Sequence, residues 1–279
     1  MQLTNILVCC SIFLFSCAQG FVLNGTRTSS KKGIGVYSKR FMCGDFNILN
    51  GVSWFYNWGT NPDMAGCGRQ KNFVPMLWNF YGPPNLDGFD TVLGFNEPNF
   101  EGQSNMSPQD AAKNWIKVQN AYPGKTLVAP CPAPGGNNMT PQKWYDQFFD
   151  ACKSLGCKVD YIATHSYSGC AECDVNYLKG LYQRYHKKIW FTEFAVPNTN
   201  SKGEVFDYMG SMLYHLENMD EVYRYSWFQE RWSSNQERIQ VENPHNGSEK
   251  WFLSSVNSLF IPGTQTLSDI GRFYNDYGL

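Results

Sequence analysis

Eight short runs of apolar, β-branched and aromatic residues, separated by stretches of helical spacing, narrow this chain to few folds. They lie at Gly33–Tyr37, Val52–Tyr56, Phe73–Trp78, Thr91–Asn96, Thr126–Ala129, Tyr161–His165, Ile189–Glu193 and Val222–Trp227. Runs of this length and composition read as strands buried on both faces. The helical candidates between them are Ser107–Tyr122, Pro141–Ser154, Asp174–His186 and Lys202–Asn218. In the first, Ser107 is placed to cap and Pro108 to occupy the first turn, while Ala111, Trp115, Val118 and Tyr122 share a face. Strand and helix in alternation predict an α/β protein with a parallel sheet, closed as a (β/α)8 TIM barrel. The 279 residues are close to the ~250 of one such barrel. An open doubly wound sheet is the runner-up, but no Gly-rich dinucleotide loop follows the first strand. There is no internal repeat or linker-like stretch, so residues 19–279 read as one domain. The first and fifth strands, and a helix after Phe73–Trp78, have the weakest patterns.

Two of the runs end in a carboxylate. Glu97 closes Thr91-Val92-Leu93-Gly94-Phe95-Asn96-Glu97, and Glu193 closes Ile189-Trp190-Phe191-Thr192-Glu193. A charge at the mouth of an apolar strand is costly without a use or a partner. Counted as strands four and seven, the two would face each other across the carboxyl-terminal mouth, where barrel active sites lie. A convergent pair of carboxylates points to glycoside hydrolysis. Taken singly, Glu97 also fits a helix-start acid and Glu193 an ion-pair member. Other chemistries lack their residues. The four histidines form no His-Glu-x-x-His motif, and neither a Gly-x-Ser-x-Gly elbow nor a phosphate loop occurs. No cofactor and no metal are expected. Asp63, Asp87 and Asp90 read as turn residues.

The net charge of −1, without a basic stripe, argues against nucleic acid as a partner. Aromatics reach 16 %, with 9 Trp and 16 Tyr, a surplus that suits sugar rings as well as a core. The apolar segment Leu3–Phe15, followed by Ser16-Cys17-Ala18-Gln19, reads as a secretory leader cleaved after Ala18, although it lacks a basic start. No later stretch is apolar for long enough to cross a bilayer. A secreted monomer is the expectation. Cys43, Cys67, Cys131, Cys152, Cys157, Cys170 and Cys173 then remain. A zinc site built from the last four is disfavoured, because an extended strand between the pairs sets them roughly 20 Å apart and zinc ligands lie about 2.3 Å from the metal. Local disulfides Cys152–Cys157 and Cys170–Cys173 are expected, with Cys43–Cys67 as a possible third and Cys131 free. Sequons at Asn24, Asn105, Asn138 and Asn246 agree with a secretory route.

The ordered motifs Ser53-Trp54-Phe55-Tyr56-Asn57-Trp58, Phe73-Val74-Pro75-Met76-Leu77-Trp78, Gly94-Phe95-Asn96-Glu97-Pro98 and Trp190-Phe191-Thr192-Glu193-Phe194 resemble glycoside hydrolase family 128, the Asl1-like catalytic domains. The resemblance runs from about Gly33 to about Phe228. It implies a retaining barrel glycosidase acting on β-1,3-glucan, with Glu97 as acid/base and Glu193 as nucleophile. It also implies that Asn96 bonds the sugar 2-hydroxyl, and that His165 and Tyr167 position the nucleophile or line the cleft. Asn99 stands where many relatives are expected to carry an acid. Trp227, at the end of the eighth strand, is the candidate floor beneath the sugar. Trp58, Trp78 and Tyr81 are candidates for further rings, and Trp232 is a weaker one. Hydrolysis of another β-linked glucan or mannan, or glucan binding without turnover, would use the same scaffold.

Overall fold

The computed structural model describes residues 29–62, 67, 72–135, 139–243 and 250–278. The leader at 1–18, Asp63 and the sequons at Asn24, Asn138 and Asn246 lie outside the described residues, whereas Asn105 is exposed. Eight parallel strands carry the fold: β1 (Lys32–Gly35), β2 (Trp54–Tyr56), β3 (Asn72–Phe73), β4 (Thr91–Leu93), β5 (Thr126–Val128), β6 (Ile162–Ser166), β7 (Ile189–Phe194) and β8 (Val222–Trp227). Six of them form one sheet in the order β3-β2-β1-β8-β7-β6, and β4 pairs with β5. Single parallel bridges, Met76 to Leu93 and Val128 to Tyr161, connect that pair to the two edges of the larger sheet. The result is a mixed α/β fold with a parallel central sheet.

Prolines explain why the third and fourth strands are shorter than their apolar runs. Pro75 has no N–H to give to a ladder, so β3 stops at Phe73. Beyond it the run pairs with the β4 side instead, through the Met76–Leu93 bridge and the bonds Leu93 N–H to Pro75 O and Leu77 N–H to Leu93 O (both 2.9 Å). Gly94 lies opposite Pro130, and a Cβ there would come within 2.5 Å of the proline nitrogen. The β4–β5 ladder breaks at that point and resumes where Cys131 N–H donates to Phe95 O (2.8 Å) and Glu97 N–H to Cys131 O (2.8 Å).

The helices are α1 (Asp45–Ile48), α2 (Pro108–Ala121), α3 (Pro141–Leu155), α4 (Ala171–Tyr185), α5 (Lys202–Asn218) and α6 (Asp269–Asp276). Ser107 and Thr140 cap α2 and α3 through backbone N–H groups three residues on, and a proline fills each first turn. Residues 74–90 contain no helix, in keeping with Gly82-Pro83-Pro84. Beyond the eight strands the chain adds an antiparallel hairpin of β9 (Arg238–Glu242) and β10 (Lys250–Ser254).

Strand alternation separates two apolar cores. Phe55 points toward the helices, while its neighbours Trp54 and Tyr56 join Met76, Leu93, Val128, Cys131 and Trp190 in a second buried cluster. Gly33 makes room for this arrangement, since a Cβ there would meet the Trp54 indole at 2.1 Å. The disulfides are Cys43–Cys67, Cys152–Cys157 and Cys170–Cys173, and Cys131 is free and buried. No helix among the described residues is long and apolar enough to cross a membrane.

Candidate active site

Glu97 follows β4 and takes a positive φ of 42°, a conformation that non-glycine residues adopt rarely and under constraint. Its N–H is held by Cys131 O, and Phe100 N–H closes a turn onto its carbonyl (3.0 Å). Asn99 fastens this loop to the one after β5: its amide donates to Ala133 O and Met139 O (both 2.8 Å) and accepts from Ala133 N–H (2.6 Å). A neutral amide that both donates and accepts does work here that an acid at Asn99 could not.

Glu193 lies in β7, 5 % exposed, beside Glu97 at 7 %. His165, at the β6 end and fully buried, stands between them. Its Nδ1 is 2.8 Å from Glu97 Oε1, and its Nε2 is 3.4 Å from Glu193 Oε1. Three further donors converge on Glu193. Trp58 Nε1–H donates to Oε1 (2.8 Å), Tyr56 O–H reaches the same oxygen (3.3 Å) and the Thr192 carbonyl (3.0 Å), and Tyr167 O–H donates to Oε2. Burial, and then the charge of Glu193, raises both tyrosines far above their ordinary value, so they remain donors. Burial pulls His165 the other way, toward its neutral form. Cys131, Glu193 and the bond to Glu97 outweigh it, so its net shift is well upward and favours the imidazolium.

Ligand atoms of Glu97, His165 and Glu193 lie within 4.8 Å of one another, a donor set and spacing that a divalent cation can use. The surroundings fit a bare carboxylate better. Tyr56, Trp58 and Tyr167 aim protons at the oxygens a metal would need, and an indole N–H is only a donor.

A cavity of about 420 Å³ opens over the pair. Asn96, Glu97, Tyr167 and Glu193 line it together with Trp58 and Trp78. Asn96 donates to Gln103 Oε1 (3.1 Å), while its own buried Oδ1 has no partner among the described residues. A second depression of about 470 Å³ shares Trp58 and Trp78 and continues to Tyr81, which is 84 % exposed. The structure thus gathers Glu97, Glu193, Asn96, His165, Tyr167, Trp58 and Trp78, and sets Tyr81 further out.

Trp227 is not the expected floor. Its ring is fully buried against Phe194, Tyr208 and Tyr274, and its Nε1–H donates to Asn257 O (2.8 Å). In a parallel strand successive side chains alternate faces, and this one falls on the helix side. Phe228, the next residue, lines the cavity. Trp232 is likewise fully buried. Tyr56 was not among the sequence candidates, although its place at the end of β2 is the same kind of signal that marked the others. Gln103 and the hairpin residues Ile239, Gln240 and Val241 also line the cavity, and no motif marks them.

The family model described as glycosyl hydrolase catalytic core matches residues 36–274. The chain belongs to that family. An endo-β-1,3-glucanase of glycoside hydrolase family 128, subgroup II, from Sorangium cellulosum is 30 % identical, with 88 % of this chain and 97 % of that one covered and a TM-score of 0.71. A subgroup I endo-β-1,3-glucanase from Amycolatopsis mediterranei, solved as a mutant with laminarihexaose, is 27 % identical over 90 % of this chain and 100 % of that one, with a TM-score of 0.72. A subgroup III curdlan-specific exo-β-1,3-glucanase from Blastomyces gilchristii, with 24 % identity, 88 % and 97 % coverage and a TM-score of 0.66, shares the fold. The resemblance read from the four motifs to glycoside hydrolase family 128 therefore holds. A comparison with curated proteins returned no match.

Proposed function

We propose that this chain is a secreted, monomeric, retaining endo-β-1,3-glucanase, folded over residues 19–279 as a closed (β/α)8 barrel. The bridges from β3 to β4 and from β5 to β6, together with the second core, support closure. The three disulfides support an oxidising route. A cleft complete within one chain supports the monomer.

The carrying observation is the spacing of the carboxylates. Oxygens of Glu97 and Glu193 within 4.8 Å suit direct attack, matching the carboxyl spacing of about 5–5.5 Å in retaining enzymes rather than the roughly 6.5–9.5 Å of inverting ones. Glu193, held by three donors, attacks the anomeric carbon as the glycosidic bond breaks. Glu97 gives its proton to the departing oxygen. Water then enters, Glu97 takes its proton, and the new hydroxide displaces Glu193 to release the sugar. The partnerless Oδ1 of Asn96 is available to a sugar hydroxyl beside the reacting carbon. Trp58, Trp78 and Tyr81 offer faces for further rings.

The test is release of reducing ends from β-1,3-glucan, mixed-linkage glucan, cellulose and mannan by the parent and Glu193→Gln. Turnover confined to β-1,3-glucan and lost in Glu193→Gln is expected. Glu97→Gln should harm polymer cleavage far more than cleavage of an activated aryl glucoside, whose leaving group needs little protonation. Bound glucan without turnover by the folded parent would replace the enzyme with a binding protein.

A further inference from the structure

The β9–β10 hairpin has an unusual set of attachments. Its base is tied to the loop after β1, where Arg40 Nη2 meets Glu237 Oε1 at 2.6 Å. Its middle and base are tied to the loop after β7: Asn198 N–H donates to Phe252 O (2.8 Å) and Phe252 N–H to Asn198 Oδ1 (3.1 Å) at the middle, and Ser254 Oγ–H to Thr199 O (2.6 Å) at the base. Its far end reaches the loop after β4, where Lys250 Nζ sits 4.1 Å from the centre of the Phe100 ring. The hairpin therefore spans the mouth of the sheet from the β8 side to the β4 side. Its β9 strand faces the cavity that holds Glu97 and Glu193.

We infer that this hairpin is the specificity-determining wall of the cleft, and that Lys250, by pinning its far end to Phe100, positions it to grip a glucan of several units. The inference rests on the glucanase reading above. Both pins border the cavity through Arg40, Glu237 and Phe100, whereas Lys250 stands outside it. Trp58 and Trp78 line the same cavity as Ile239, Gln240 and Val241 of β9, so a chain of sugars in it meets both the aromatic faces and the β9 strand. A single glucosyl unit at the carboxylates meets little of the wall. A longer chain meets much of it. The pin at Lys250 is thus felt in proportion to chain length.

The experiment compares the parent, Lys250→Ala and Lys250→Arg on laminari-oligosaccharides of increasing length and on an activated aryl β-glucoside. Arginine keeps a cation over the ring and alanine does not. Lys250→Ala should raise KM for the longer oligosaccharides about three- to fivefold, the scale of a partly exposed cation–π pair, with kcat little changed. The KM increase should shrink as the oligosaccharide shortens, and Lys250→Arg should restore the parent values. Hydrogen exchange should show faster exchange of the β9–β10 amides in Lys250→Ala only. An equal change in KM at every length, a fall in kcat alone, or no change in Lys250→Ala overturns the inference while leaving the glucanase reading intact. A folded parent that turns over neither substrate overturns both.

Discussion

A single carboxylate, Glu193, draws four side chains to itself, and their donors differ in what each can be asked to do. Trp58 and Tyr167 make the direct bonds, one to each oxygen of a carboxylate that is itself buried. Hydrogen bonds to a charged group contribute about 1.5–3 kcal/mol, which corresponds to roughly 10- to 100-fold in rate. Tyr167→Phe should lower kcat by that amount with KM for glucan little altered, because the ring and its packing persist. Trp58→Phe should lower kcat and raise KM, since Trp58 also borders both depressions. Steady-state kinetics on one laminari-oligosaccharide separates the two. The glutamates, Asn96, His165 and Tyr167 were legible because each ends, or lies within two residues of the end of, an apolar run that reads as a strand. Trp227 misled for the same reason in reverse: one step along a strand moves a side chain to the other face. His165 showed its position in sequence, but the bridge it makes between two carboxylates from β4 and β7 is a long-range fact that no local pattern carries.

At the scale of elements, the eight strands and four main helices followed from period and caps, and their ends were set by chemistry the sequence displays. α5 begins at Lys202 behind the Ser201 cap as expected. α4 begins earlier than Asp174, because Cys170 caps it and its first turn carries the Cys170–Cys173 disulfide. The hairpin and α6 were missed. They follow the eighth strand, where the alternating template is exhausted, and their faces are defined by what they cover rather than by their own pattern. The Cys43–Cys67 disulfide fixes the loop after β1 that carries Arg40 and so the base of the hairpin. It joins residues 24 apart. A loop of that size corresponds to about 3 kcal/mol in the chain-entropy view. Cys43→Ser with Cys67→Ser should therefore lower stability to urea by about 2–4 kcal/mol. Equilibrium unfolding of the two proteins side by side measures it, and a difference near zero would show that the buried Arg231–Asp45 pair, at 2.8 Å, holds this loop alone.

For the molecule as a whole, the seam between the first and last strands is where the fold is completed, and Glu230 sits on it. Its N–H donates to Gly35 O (3.3 Å), its carbonyl accepts from Phe260 N–H (2.8 Å), and its Oε1 accepts from Tyr37 N–H (2.7 Å). Its Oε2 is buried with no hydrogen-bond partner among the described residues. Burial pushes this carboxyl up to about 8, against the pull of the Tyr37 amide and Arg231. The sign of the pH effect follows. An acid whose folded pKa lies above its unfolded value binds a proton more tightly when folded, so raising the pH destabilises the fold. The loss begins above the unfolded value of about 4.3 and is complete once the pH passes the folded value of about 8. Glu230→Gln keeps an acceptor for Tyr37 and supplies a neutral group in place of the buried acid. It should match the parent in melting temperature near pH 4 and exceed it progressively toward pH 8. Melting curves at closely spaced pH values test this. A difference independent of pH would mean that Glu230 titrates alike in both states, and that the seam between β8 and β1 admits water.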